Sequence, residues 1–206
     1  MFVIGLTGGI ATGKTLVSET LRDLGATVIN ADLVGHEAYL PHTETWQAVV
    51  DAFGTDILDS EGQIVRPKLG AIVFSDPSKL EQLNSIVHPR IYAMIGDRIE
   101  ALKSDGVGAV VVEAALLIEA GWTPLVDEIW VITSPMEQVY SRLTGRGLSP
   151  DQARARIESQ MPQEERVTHA DVVIVNDSGE SELQIAVKDQ WSQRVESRVQ
   201  GDRKAR

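Results

Sequence analysis

The 206-residue sequence contains no cysteine, which excludes disulfide bonds, thiolate metal sites and a cysteine nucleophile. A chain without thiols suits a reducing compartment, and we therefore expect a cytoplasmic protein. Internal repeats and low-complexity linkers are absent too, so a repeat architecture is not indicated. At this length, with 43% apolar and 24% charged residues, we expect one globular α/β domain.

Long hydrophobic runs are also missing. The longest apolar stretch, residues 107–118, contains Glu113, whereas a membrane-spanning helix needs about 20 apolar residues. The N-terminus is apolar but lacks the basic segment with which a signal peptide begins. These features predict a protein that neither spans a membrane nor carries a secretion signal.

Basic residues are scarce: 19 Lys and Arg stand against 30 Asp and Glu, which gives a net charge of −11. A strongly acidic surface repels nucleic acid and anionic membranes, so we expect neither as a partner. The charge does not exclude phosphorylated small molecules, because a phosphate site needs only a few donors gathered at one place.

One motif carries such donors. Residues 8–15, Gly-Gly-Ile-Ala-Thr-Gly-Lys-Thr, fit the pattern G-x-x-x-x-G-K-[ST] of a phosphate-binding P-loop. An apolar run at residues 2–6 predicts a buried strand before it. A helical face follows, ended by Gly25 and marked by Val17, Leu21 and Leu24. Because a strand, a glycine loop and a helix occur in that order, we expect the chain to bind a nucleoside triphosphate.

Each part of the loop has an expected task. Glycines let the backbone N–H groups point at phosphate oxygens, and the helix N-terminus adds its partial positive charge. Lys14 is expected to reach the β- and γ-phosphates, and the Thr15 hydroxyl is expected to bind Mg²⁺. The residues predicted to contact the nucleotide here are Gly8, Gly9, Ile10, Ala11, Thr12, Gly13, Lys14, Thr15 and Leu16.

Four further apolar runs predict strands at residues 26–30, 109–113, 128–133 and 172–176. Together they indicate a doubly wound, five-stranded parallel sheet of the P-loop kinase type, in which ligands bind beyond the carboxyl ends of the strands. Polar residues follow at those ends. Glu113 is expected to hold Mg²⁺ or its water shell, while Asp32 is equally well explained as a site residue or as a helix N-cap.

Residues 36–103 contain helical patterns and no strong strand, which predicts an insertion that binds the second substrate. Prolines are expected to open three of its helices, at Pro67, Pro77 and Pro89. The polar candidates for substrate contacts are His88, Arg90, Arg66 and Lys68, and each of them is also explained as an ordinary surface charge or a satisfied histidine.

Residues 141–167 are expected to form a helical lid, with the core built from residues 1–35, 104–140 and 168–200. A capping box at residues 134–137 is predicted to begin the preceding helix. Arg142 and Arg146 share one face of that helix if it continues past both, as a cover over a triphosphate requires. The alternative is a surface helix laced with Glu–Arg pairs.

The absence of a [NT]-K-x-D motif argues against a GTPase, and a small-molecule kinase fits best. The chain resembles the dephospho-coenzyme A kinase family along nearly its whole length. The resemblance rests on residues 5–10 with Gly13 and Lys14, on Asn30-Ala31-Asp32, Leu83-Asn84, His88-Pro89 and Leu116-Leu117-Ile118-Glu119, and on Arg142, Arg146, Gln160, Ala170-Asp171 and Asn176.

The resemblance implies transfer of the ATP γ-phosphate to the ribose 3′-hydroxyl of dephospho-CoA, the last step of coenzyme A synthesis. It implies that Asp32 is the base, and that Lys14, Mg²⁺ and the two lid arginines stabilise the transferring group. Acceptor contacts are expected from Thr7, His88 and Arg90, and an adenine contact from Asn176. Ala11 and Ala115 depart from the family pattern, which has glycine and proline there. The alternatives are a kinase for another small acceptor and a nucleotide-binding protein with little catalysis.

Overall fold

The computed structural model describes residues 1–199. The sequence predicts a frayed tail at residues 201–206, which lie outside the described range. The five strands are β1 (Phe2–Gly8), β2 (Thr27–Asn30), β3 (Ala109–Glu113), β4 (Glu128–Thr133) and β5 (Val172–Val175). The helices are α1 (Lys14–Asp23), α2 (Ala31–Ala38), α3 (Glu44–Phe53), α4 (Arg66–Val73), α5 (Pro77–Ser104), α6 (Met136–Gly145), α7 (Pro150–Glu158), α8 (Gln163–Val167) and α9 (Glu180–Trp191). None of the helices in residues 1–199 combines the length and apolar character needed to cross a bilayer.

The strands form one parallel sheet in the order β2-β3-β1-β4-β5. This confirms the predicted fold class. The register brings several strand ends together at one edge: Glu113 pairs with Leu6 on one side and with Asn30 on the other. The P-loop therefore emerges from the middle strand of the sheet, with candidate polar residues following the strands beside it.

Apolar periodicity explains how α1 and α9 cover the sheet. Val17 and Leu21 of α1 are fully buried, in one cluster with Leu183 and Val187 of α9. Apolar residues continue at a strict spacing of four to Val199, although an α-helix rotates about 40° past a full turn every four residues. A π-helical turn at Ser192–Glu196 follows α9 and corrects this drift, which keeps the stripe on the core.

The chain divides into two compact units. The core unit contains Met1–Asn30 and the chain from Ile99 onward, including the predicted lid segment. The second unit, Ala31–Arg98, comprises α2, α3, α4 and most of α5. It begins before His36, the residue at which the predicted insertion starts.

The predicted helix boundary at Pro89 is wrong, because α5 runs through this proline without a break. Proline removes one backbone donor and normally kinks or ends a helix. Here Val87, Ile91 and Ile95 are buried at a spacing of four on both sides of Pro89. Burying that continuous stripe outweighs the local preference for a break.

Candidate active site

The P-loop turn lies between the end of β1 and Lys14, the first residue of α1. Gly13 precedes α1 with a φ of 107°, a left-handed conformation that L side chains rarely adopt. A Cβ atom at Gly13 would also lie 2.5 Å from Nδ2 of Asn176. Glycine is therefore favoured here both by the backbone conformation and by the close approach of Asn176. Because Gly13 has no capping side chain, the first backbone N–H groups of α1 are able to bind an anion.

Side chains of the loop cover its own carbonyl oxygens. Lys14 Nζ donates to the carbonyl oxygens of Gly8 and Gly9, at 2.7 Å and 3.2 Å. The Thr12 hydroxyl, buried beneath the loop, donates to the same Gly9 oxygen at 2.9 Å. Because a carbonyl oxygen carries partial negative charge, these bonds lower the repulsion that an incoming phosphate would meet.

Two other elements hold the loop from outside. Arg142 of α6 donates from Nη1 to the carbonyl oxygen of Ala11 at 3.1 Å. Asn176, which follows β5, donates from Nδ2 to the carbonyl oxygen of Thr12 at 2.8 Å. The loop is therefore held by side chains from distant parts of the chain.

The lid segment also contacts the loop directly. The Gln160 side-chain oxygen, between α7 and α8, accepts a hydrogen bond from the backbone N–H of Ile10 at 2.8 Å. Ile10 and Ala11 pack against a small apolar cluster formed by Val139 of α6 and by Leu143 and Ala153 of the lid segment. Movement of the lid must therefore be accompanied by a change in the contacts of the P-loop.

A cavity of about 560 Å³ lies over this arrangement. It is lined by residues 11–16 of the loop and α1, by Arg142 and Arg146, by Asn176 and Gly179, and by the two carboxylates of Glu19 and Glu180. The cavity thus contains the predicted nucleotide residues from Ala11 to Leu16, Asn176 and both lid arginines, whereas the predicted residues Gly8, Gly9 and Ile10 do not line it. The two arginines lie in different backbone environments. Arg142 is inside α6, whereas Arg146 lies just past the end of the helix at Gly145.

The predicted capping box at residues 134–137 is wrong. Pro135 precedes α6, and no side chain caps this helix within residues 1–199. The hydroxyl of the buried Ser134 donates instead to the carbonyl oxygen of Asn176 at 2.7 Å and accepts from Arg142 Nη1 at 3.0 Å. Ser134 therefore supports Arg142 and the residue that follows β5, and it does not cap α6. A capping box does form at the start of α7, between Ser149 and Gln152.

The predicted Mg²⁺ ligands are oxygen donors near the loop. Thr15 is exposed in the first turn of α1, and Glu113 ends β3, where its carboxylate accepts from Asn30 Nδ2 at 3.5 Å. Residues 1–199 contain no group of three or more His, Asp or Glu side chains that could hold a metal ion alone. Mg²⁺ bound through one or two protein oxygens and the nucleotide phosphates needs no such group, so the donors fit.

The remaining candidates belong to the second unit. Asp32 is exposed and is the second residue of α2, so it lies inside the first turn and not before it. His88 is partly buried on α5, and burial holds its pKa below the usual value, which favours the neutral imidazole. Arg90 is exposed two residues further along the same helix.

Comparison with known proteins agrees with this geometry. The family model described as dephospho-CoA kinase matches residues 2–182. A dephospho-CoA kinase from Carboxydothermus hydrogenoformans is 49% identical over 175 residues, covering 84% of this chain and 85% of that protein. One from Dehalococcoides mccartyi is 41% identical over 197 residues, covering 95% and 99%. A solved dephospho-CoA kinase from Campylobacter jejuni matches with a TM-score of 0.73 at 28% identity, over 95% of this chain and 98% of that one.

The chain belongs to the dephospho-CoA kinase family. Membership makes it a phosphotransferase that uses ATP, built on the P-loop kinase fold. Two departures from the family pattern now have a structural account. Ala11 has a φ of 58°, a left-handed conformation in which glycine is unstrained and alanine is not. Ala115 contributes its carbonyl oxygen, which any residue would provide.

A residue that sequence reasoning missed lies beneath this dephospho-CoA kinase site. Arg166 of α8 is 1% exposed. Its guanidinium donates to the carbonyl oxygen of Ala115 at 3.1 Å and to a carboxylate oxygen of Glu119 at 2.9 Å. An acidic residue such as Glu119, directly after an apolar stretch, needs a cation when it is partly buried. In the sequence, this need was the only indication that a basic residue such as Arg166 would pair with it.

The expected role of Thr7 as an acceptor contact is contradicted. Thr7 has no exposed surface, and its hydroxyl accepts from Arg166 Nη1 at 3.2 Å. A fully buried hydroxyl cannot touch a bound acceptor in this conformation. Thr7 is instead part of the support that joins β1, the segment after β3, and α8.

Proposed function

We propose that the chain transfers the γ-phosphoryl group of ATP to the ribose 3′-hydroxyl of dephospho-CoA, giving coenzyme A and ADP. The bond between the 3′-oxygen and the γ-phosphorus forms as the bond from that phosphorus to the β–γ bridging oxygen breaks. The hydroxyl proton passes to a carboxylate of the protein. Family membership supports this reaction as the last step of coenzyme A biosynthesis.

The observation that carries the proposal is the cavity in which the P-loop and two lid arginines converge. Phosphoryl transfer depends mainly on positioning and on stabilising charge. Lys14, Arg142 and Arg146 supply three cations there, and the uncapped start of α1 adds backbone donors. Such donors, arranged before the reaction, are worth about 10²–10³ in rate each.

Asp32 is the proposed base for the 3′-hydroxyl. A carboxylate at that place would orient the hydroxyl and accept its proton, a contribution of about 10²–10⁴-fold. His88 and Arg90, both on α5, are the proposed acceptor contacts that remain after Thr7 is withdrawn. His88 as a neutral imidazole is able to donate or accept a hydrogen bond, and Arg90 offers an exposed cation.

Thr15 and Glu113 would hold Mg²⁺ directly or through its water shell, and the ion would offset charge on the β- and γ-phosphates. Asn176 is proposed to border the adenine as well as to brace the loop. One amide hydrogen of Asn176 is used on Thr12, and the side-chain oxygen is an acceptor that suits the amino group of a purine.

We also infer a cytoplasmic location, supported by the absence of cysteine. The acidic charge balance supports a small-molecule acceptor over nucleic acid or an anionic membrane.

The test is ADP release with dephospho-CoA and, separately, with a panel of nucleoside monophosphates. We expect turnover with dephospho-CoA and product phosphorylated at the 3′-oxygen, identified by NMR. Preference for a monophosphate would assign the chain to another acceptor. Tight ATP binding with no turnover on any acceptor would indicate a nucleotide-binding protein.

A further inference from the structure

The second unit contains a guanidinium held entirely by uncharged groups. Arg66, the first residue of α4, is exposed. Its Nη1 donates to Nε2 of His36, and its guanidinium carbon lies 5.5 Å from the centre of the Tyr39 ring. Within residues 1–199, no carboxylate forms an ion pair with Arg66. The arginine is therefore oriented, but its charge is left for another partner.

Other basic residues of the same unit are used differently. Arg98 forms an ion pair with the carboxylate of Glu37. Lys68 donates to the carbonyl oxygens of Asp56 and Leu58 at 2.9 Å and 3.2 Å, which ties it to the preceding turn. Among the residues that the structure describes, Arg66 has neither a counter-charge nor a backbone partner. Desolvation and the charge of Arg66 lower the pKa of His36, although Asp32 raises it, so the imidazole stays a neutral acceptor for Arg66.

The same helix carries the proposed base. Asp32 and His36 are four residues apart on α2, which places them on one face about 6 Å apart along the axis. An anion bound by the guanidinium of Arg66 beside His36 would therefore lie roughly one helical turn from Asp32. Because all of these residues belong to the second unit, the spacing is a property of that unit alone.

The acceptor has a matching arrangement of groups. In dephospho-CoA, the ribose that carries the reacting 3′-hydroxyl also carries a diphosphate on its 5′ carbon. We infer that Arg66 binds this 5′ diphosphate while Asp32 faces the 3′-hydroxyl of the same ribose. The inference rests on the proposed function. The planar fork of arginine suits two phosphate oxygens, and stacking on Tyr39 limits the entropy lost on binding.

The first experiment compares Arg66→Gln with Arg98→Gln, a matched change at a neutralised arginine of the same unit. We expect Arg66→Gln to raise the KM for dephospho-CoA by about ten- to a hundredfold, as for loss of a charged hydrogen bond. The KM for ATP and the melting temperature should stay unchanged. Arg66→Lys keeps the positive charge but loses the planar guanidinium, so its KM for dephospho-CoA should lie between those of the wild type and Arg66→Gln. An unchanged KM for dephospho-CoA in Arg66→Gln would overturn the inference.

The second experiment uses adenosine, which has the same 3′-hydroxyl and no diphosphate. With radiolabelled ATP, Arg66→Gln should lose kcat/KM on dephospho-CoA while its kcat/KM on adenosine equals that of the wild type. Equal losses on both acceptors would show that Arg66 does not recognise the diphosphate.

A wild-type protein that fails to phosphorylate dephospho-CoA would refute the proposed function and not the inference about Arg66. In that case, calorimetry of dephospho-CoA binding to the wild type and to Arg66→Gln still tests the inference about Arg66. Weaker binding to the variant supports the diphosphate contact, and equal binding excludes it.

Discussion

The phosphate-binding region and the second unit prepare their candidate residues in different ways. Around the P-loop, side chains from α6, from the segment after α7 and from the end of β5 all hold backbone atoms of the loop. In the second unit, Asp32, Arg66 and Arg90 are exposed, and only Arg66 has its orientation defined by neighbours. Arg142, which is proposed to stabilise charge, is thus held by neighbouring elements, whereas the proposed acceptor contacts Asp32 and Arg90 are exposed side chains. Removing a distant side chain that holds the loop, such as Arg142, should therefore lower both stability and rate. Substitutions in the second unit should affect rate or KM with little loss of stability.

The largest effect is expected in the second unit. Asp32→Asn should lower kcat by about 10²–10⁴-fold, because the amide cannot accept the hydroxyl proton. The position lies inside the first turn of α2, where loss of a negative charge should change stability by no more than about 1 kcal/mol. ATP binding by calorimetry should be normal. Wild-type turnover in this variant would remove Asp32 from the chemistry and leave a role in the helix alone.

Arg166 provides the opposite case, a charged residue of the core unit with a structural effect. Arg166→Met should destabilise the protein by about 1–3 kcal/mol, because it removes the hydrogen bonds of a buried guanidinium and leaves the carboxylate of Glu119 without its cation. The side chains are 2% and 24% exposed. Lys103→Met, which breaks an exposed i,i+3 pair with Glu100, is the control and should change stability by less than about 0.5 kcal/mol. Similar urea midpoints for the two variants would contradict this ranking.

Lys14→Ala should separate rate from stability inside the P-loop. We expect kcat to fall by about 10²–10³-fold, since one cation at the transferring group is lost. The melting temperature should fall only slightly, because the lysine bonds are made to a loop at the surface. A variant with near-normal kcat would show that Lys14 does not contact the transferring phosphate.

The two lid arginines test whether a defined orientation matters. Arg142 is held by Ala11, Ser134 and Gln138, whereas Arg146 lies past the end of α6. Arg142→Gln should lower both kcat and thermal stability, and Arg146→Gln should lower kcat with little change in stability. Each variant should lose about 10²–10³ in kcat, the loss expected for one donor to the transferring group. If neither change alters the ATP kinetics, these side chains belong to a surface helix without a catalytic task.

The smallest effect is expected at Ala11. Ala11→Gly removes the strain of a left-handed alanine, a gain of about 1–2 kcal/mol. It also loses a methyl packed on the lid cluster and makes the unfolded chain more flexible, which together cost a similar amount. We expect a net change below about 1 kcal/mol in the free energy of unfolding, with kcat unchanged. A large change in either quantity would show that strain at this position matters to the lid.

How far the sequence predicted the molecule depended on the range of the interactions. The strand–loop–helix order around residues 8–15 and the runs that became β3 and β4 were predicted closely, because buried strands and P-loops have local signals. The predicted stop at Pro89 failed where a buried apolar stripe outweighed a local preference. Ser134 was misassigned because its hydroxyl donates to the carbonyl oxygen of Asn176, 42 residues away, and does not cap the helix.

The sequence by itself determined the sheet, the phosphate loop and the family, because each of these depends on periodicity or on residues adjacent in the chain. Only the tertiary structure decided what supports the site. The contacts of Arg166 with Thr7 and Glu119 span 159 and 47 residues, and that of Asn176 with Thr12 spans 164. No periodicity connects residues so far apart. Their partners are set by the parallel register, which gathers the ends of β1, β3, β4 and β5 at one edge and so brings their polar groups within hydrogen-bonding distance.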